Sequence, residues 1–132
     1  MTNLRTPEMW IYHNPNPCRI EEPDCVVRAI ATATGQSWDR VHEDLCEMSR
    51  AKCTMPSVNW LWESYLRRQG FRRFSPGDCP ECATVRGFCR HHPHGIYILG
   101  TGSHVVAAVD GHYLDIWDSG DERPVLYMRK EE

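Results

Sequence analysis

Two side chains in this sequence stand where covalent chemistry is easiest. Cys25 follows Pro23-Asp24 at the head of an apolar helical run, and His104 opens the β-rich run HVVAAV. Free backbone N–H groups and the macrodipole at a helix N-terminus favour an anion, so they lower a thiol pKa and populate the nucleophilic thiolate. A histidine beside such a thiol serves as general base and then general acid. Its tautomer is fixed by a third group, and the next β-rich run, YLDIWDS, offers Asp115 and Asp118. A tight turn at Asp110-Gly111 returns the chain so that His104 lies opposite Trp117 or Asp118. Asp118 is therefore the expected orienter, with Asp115, on the same strand, as its rival. Cys25, His104 and Asp118 are predicted to form a nucleophile–base–orienter triad.

A second cluster lies in GDCPECATVRGFCRHHPH. Cys79-x2-Cys82 is a half-site for tetrahedral zinc, and Cys89 and His92 are one helical turn apart. Two readings stand: a structural zinc held by Cys79, Cys82, Cys89 and His92, or a surface loop with one core cysteine and exposed histidines. The chain has seven cysteines, an odd number, and its first residues lack an apolar signal-peptide core. Both features predict reduced thiols in a cytoplasmic protein.

The flanking sequence lays out the helices and strands that carry these residues. A helix is predicted from N-cap Asp24 to Gly35, carrying Val26, Val27, Ile30 and Ala33 at helical spacing. A second starts at Ser37, with Trp38, Val41, Leu45 and Met48 on one face. A third runs from about Ser57 to Gln69, with Gly70 as its C′ residue. Trp62 belongs to its apolar stripe and Trp60 falls outside it. A short fourth helix is predicted at Thr84–Arg90. Strands are predicted at Ile96–Leu99, His104–Val109, Tyr113–Trp117 and Val125–Met128. Residues 1–23 read as an irregular segment rich in Pro and Asn, and the closing RKEE as a frayed tail. Helices followed by a meander of strands define an α+β architecture in one domain spanning 1–132.

This order of residues resembles the layout of papain-like cysteine peptidases. Asp24-Cys25, His104-Val105-Val106 and Trp117-Asp118-Ser119 follow the order of the DC, HxVV and xDP motifs in the leader-peptidase domains of bacterial ABC exporters, with Ser119 in the proline's place. DCVVRAIATATGQSW, HPHGIYILGTGSHVVAAVDG and LDIWDSGD are similar to small papain-like proteins of phages and gut bacteria, over most of residues 14–128. The resemblance implies a minimal papain-like fold, with an N-terminal helical half packed on a C-terminal antiparallel sheet. It implies thiol-dependent acyl transfer on a peptide or protein substrate, with no cofactor required. Relatives place a glutamine about six residues before the cysteine as oxyanion donor. Arg19 stands there in this chain, so Asn16 or Asn14, or the Cys25 N–H alone, is the expected substitute. The alternative that the resemblance allows is a catalytically weak relative that acts by binding a host protein.

Composition narrows the remaining classes. Hydrophobic residues at 41% and charged residues at 25% are those of a globular chain, not a disordered one. The net charge of −3 gives no overall basic footprint for nucleic acid. No apolar run reaches the ~18 residues of a membrane span. Arg67, Arg68, Arg72 and Arg73 form one local basic patch around Gly70-Phe71, read either as a solvated helix end or as a contact for an acidic partner or phosphate.

Overall fold

The computed structural model describes residues 9–131. Residues 1–8, which open the segment expected to be irregular, lie outside the described residues, as does Glu132. The fold is α+β, with four helices and a six-stranded mixed sheet in the order β1-β5-β4-β3-β6-β2. The elements are β1 (Trp10–Tyr12), α1 (Cys25–Thr34), α2 (Trp38–Ala51), α3 (Asn59–Arg68), β2 (Phe71–Phe74), α4 (Val85–His91), β3 (Ile96–Gly100), β4 (Val105–Val109), β5 (His112–Asp115) and β6 (Leu126–Lys130).

Each helix begins and ends where local chemistry allows. Gly35, at φ 74°, closes α1 in the left-handed region where glycine carries no Cβ penalty. Ser37 caps α2 by accepting from the Arg40 N–H, and Thr84 caps α4 by accepting from the Gly87 N–H. Asp24 stands at the N-cap of α1 but makes no capping bond to the helix backbone. Its carboxylate is used elsewhere.

Two apolar clusters lie on opposite faces of the sheet. On one face, Ile30 of α1, Val41 and Leu45 of α2, and Trp62 and Leu66 of α3 pack with Ile98, Val105, Ala107 and Met128. On the other, Val85, Phe88 and Cys89 of α4 pack with Tyr97, Leu99, Val106, Ala108 and Tyr113. Successive residues of β3 and β4 therefore alternate between two buried faces, which explains their continuous apolar sequence. Each fully buried large aliphatic side chain contributes roughly 1.5–3 kcal/mol. Trp62 is fully buried and Trp60 is exposed, as the helical stripe predicts.

Five expectations are corrected. The sheet is mixed, not antiparallel, because β1 pairs with β5 in parallel; residues 1–23 are thus not irregular throughout. A strand of three residues is too short to show a period in sequence. Helices cover both faces, since α4 packs opposite α1. Strand β5 stops at Asp115 and does not reach Trp117. The tail is not frayed: Arg129 and Lys130 lie in β6, paired with the basic segment 71–74, which is itself a strand. Among the described residues, no helix is long and apolar enough to cross a membrane.

Candidate active site

Helix α1 packs against β4, and this contact brings the N-terminal residue of the helix to the first residue before the strand. The Cys25 thiol lies beside the His104 imidazole and the Val105 backbone, close enough that both lower its pKa. The far ring nitrogen, Nε2, lies 2.6 Å from Asp115 Oδ2, which leaves Nδ1 for the thiol. Asp115 is buried and accepts further bonds from Ser119 Oγ at 2.7 Å and from the Ile116 N–H at 2.8 Å.

Asp115 also forms a buried ion pair with Arg28, Nη1 to Oδ1 at 2.9 Å, and Arg28 Nε reaches Asp24 at 2.7 Å. Asp24 in turn accepts from Trp38 Nε1 at 2.8 Å and Asn16 Nδ2 at 3.2 Å. Charges alternate along the row Asp24, Arg28, Asp115, His104, Cys25. Each buried charge therefore has an opposite neighbour, the condition under which ions survive burial.

This row sets the protonation states. Burial raises the Cys25 pKa, but the hydrogen bonds from His104 and Val105 outweigh it and hold the thiol below its ordinary value. Burial lowers that of His104, yet Asp115 and Cys25 together bring it up to about 9. Burial would raise Asp115 too, but its bonds to His104 and Ser119 hold it below the usual carboxylate range. Each shift is in the direction of thiolate, imidazolium and carboxylate.

Cys25 stands where two hollows meet. A cleft of about 440 Å³ lies between helices and sheet, lined by His104, Ser103, Gly102, Trp117 and Asn59 among others. A groove of about 570 Å³ runs along the helical side past Ile20, Pro23, Trp38 and Pro56. Trp117 is tilted over the His104 ring at 5.0 Å and shields it from solvent.

Asp118 is not the orienter of His104. The β4–β5 ladder ends at Ala107–Leu114, so the strands part before the level of His104, and the register cannot be extended to place Asp118 beside it. Asp115 is instead held by β1: its carbonyl accepts from the His13 N–H and Trp10 Nε1. Asp118 is drawn to α4, where its carboxylate accepts from Arg86, the Tyr113 hydroxyl and the Gly120 N–H.

Asn16 is buried near the site, but its amide is committed. Nδ2 donates to Asp24, and Oδ1 accepts from the Cys18 N–H at 2.9 Å. The donors facing a carbonyl at Cys25 are then the first N–H groups of α1, at Cys25, Val26 and Val27. The helix ladder begins only with the Arg28 N–H to the Asp24 carbonyl.

The expected zinc ligands lie near one another, with Cys82 Sγ 3.9 Å from His92 Nδ1, but two of them are not free donors. Cys79 and Cys82 are joined in a disulfide, which also corrects the expectation of reduced thiols throughout. Cys89 is buried in the apolar cluster, and burial pushes its thiol up to about 12. His92 is stacked on Phe88 at 3.9 Å with Nδ1 bonded to the Phe88 carbonyl. Among the described residues, no group of three or more His, Cys, Asp and Glu side chains converges to hold a metal ion.

Arg28 and Ser119 escaped the sequence reading. Arg28 interrupts an apolar helix face four residues after Asp24, and that i,i+4 pair at a helix start was the available signal. Ser119 had none. Comparison with protein-family models, curated proteins and solved structures finds no match to this chain.

Proposed function

We propose that the protein is a thiol-dependent acyl-transfer enzyme of papain-like type, a peptidase or amidase. The observation that carries this reading is the Cys25–His104–Asp115 relay opening into the cleft. The Cys25 thiolate attacks an acyl carbonyl, and the oxyanion forms beside the N-terminal N–H groups of α1. His104 gives its proton to the leaving amine as the C–N bond breaks, and an acyl-thioester remains. Water then attacks the thioester, His104 accepts one of its protons, and the carboxylic acid leaves as the C–S bond breaks, which restores the Cys25 thiolate and the His104 imidazolium. Asp115 holds the ring tautomer and the imidazolium charge. Peptides or proteins are the substrate class.

A second reading is favoured by the committed Asn16 amide. Without a side-chain oxyanion donor, roughly 10²–10³ in rate is forgone. A slow enzyme of this kind works by capturing a protein partner in the same cleft.

Alkylation by iodoacetamide at pH 6, with sites read by peptide mass spectrometry, tests the reading. Cys25 should be modified well before Cys18, Cys46 and Cys53, and His104→Ala should remove that advantage. Equal rates at all four thiols would refute the relay. Peptide or amide hydrolysis, once found, should rise with pH through the lowered Cys25 pKa. It should fall above about 9, where His104 loses the proton that the leaving group needs. Full binding of a protein partner by Cys25→Ala, with no hydrolysis by the parent chain, would favour capture.

A further inference from the structure

The basic run around Gly70-Phe71 takes no part in the cleft. Its residues 71–74 form β2, the outermost strand, paired only with β6. The register sets Arg72 directly opposite Arg129, and both guanidinium groups lie over the Phe74 ring, at 5.3 and 4.8 Å from its centre. Like charges directly opposite on neighbouring strands weaken a sheet. The Phe74 ring and, at Arg129, Glu131 offset part of that repulsion, and Arg72 keeps no carboxylate partner.

The positive charge on this edge is incompletely neutralised. Glu63 takes Arg73 at 3.1 Å and Arg67 at 3.7 Å, and Glu131 takes Arg129 at 2.9 Å. Among the described residues, no carboxylate pairs with Arg68, Arg72 or Lys130. The chain as a whole carries a net charge of −3, so the excess is local to one edge.

The backbone of β2 is open as well. The Glu131 N–H bonds to the Gly70 carbonyl, which fixes the alternation along the pair. Arg72 and Phe74 then face β6, while the N–H and C=O of Phe71 and Arg73 point outward with no strand beyond them. Exposed Lys and Arg protect such an edge from pairing with another basic strand. The same charges select an acidic one.

We propose that the β2 edge docks an extended acidic segment of a partner protein. The segment adds a strand beside Phe71–Phe74 and sets its carboxylates against Arg72, where guanidinium geometry suits bidentate contact. β2 lies three strand spacings from β4, about 14 Å, so the docked segment leaves Cys25 free. The proposal does not rest on the chemistry of the cleft.

A fluorescein-labelled octapeptide of alternating Glu and Val, titrated by fluorescence anisotropy in low salt, tests this. Saturable binding is expected, at least tenfold weaker for Arg72→Glu. That variant replaces a like-charge pair with an opposite one, so its melting temperature should not fall. The same peptide with alternate amides N-methylated keeps its charge but cannot pair as a strand, and should lose most of its affinity. No binding by the parent chain, or binding unchanged by Arg72→Glu, would overturn the proposal. So would equal binding of the N-methylated peptide, which is charge attraction without strand addition, or tighter binding of a twelve-nucleotide oligo-dT.

Discussion

Two of the molecule's cysteine–histidine neighbourhoods, one against each of its apolar clusters, are chemically opposite. Cys25 and His104 meet at a helix N-terminus, at the end of a row of alternating charges. Cys82, Cys89 and His92 meet inside an aromatic cluster, with His92 flat against Phe88 and Cys89 without a charged neighbour. One thiol is pushed down and the other up to about 12. The side chains are the same; what differs is whether charge or hydrocarbon surrounds them. A thiolate needs a nearby cation or donor to offset its lost hydration, and only the first neighbourhood supplies one.

The sharpest way to break this comparison is thiol reactivity. At pH 6, in the folded protein, iodoacetamide should modify Cys25 at least about 10³-fold faster than Cys89, because the thiolate fraction falls tenfold per unit of pKa and Cys89 is also buried. Rates within tenfold of each other would show that the charge row does not set the thiol's state.

Next in size is the contrast between the two aspartates. Asp115→Asn should lower Cys25-dependent turnover by about 10²–10⁴, since the amide favours the wrong tautomer and loses the charge that stabilises the imidazolium. Asp118→Asn should change it less than about threefold, because that carboxylate serves Arg86 and the 118–121 turn. Equal losses, measured as kcat/KM or as alkylation rate, would return Asp118 to the site.

The two arginines sharpen the same point in stability. Arg28→Met leaves Asp24 and Asp115 without their cation in a buried setting, and should cost about 3–5 kcal/mol in urea unfolding. Arg86→Met removes a largely exposed pair with Asp121 and Asp118 and should cost less than about 1 kcal/mol. A reversed order would mean that the row is not a structural unit.

The smallest expected effect concerns the disulfide. Cys79→Ser with Cys82→Ser should cost about 2 kcal/mol, as the bond closes a loop of only a few residues. The rate of Cys25 alkylation should stay within twofold. A larger change in that rate would couple the two neighbourhoods.

The sequence was informative wherever the signal is local. Helix α1 with Cys25 at its head, the apolar stripes of α2 and α3, and the Asp110-Gly111 turn are all short-range patterns. Asp110 and Gly111 indeed take the positive φ values, 49° and 83°, that a tight hairpin requires. The pairing of Cys25 with His104 was legible because helix start and strand start are both readable and their chain order is distinctive.

What only the tertiary structure decided depends on partners far away in the chain. Asp115 takes the place expected for Asp118 because β1 grips its backbone from about 105 residues upstream and α4 pulls Asp118 aside with Arg86. Both elements are short, and neither announces its partner. Arg28 looks like an error on an apolar face until Asp115 arrives from the other half of the molecule. Cys79 and Cys82 sit at spacing that suits either a metal or a disulfide, and only the fold joins them in a disulfide. Spacing along the chain fixes which residues share an element. Which charge faces which is fixed by the packing of those elements, because electrostatic and burial energies depend on distance in space and not on separation in sequence.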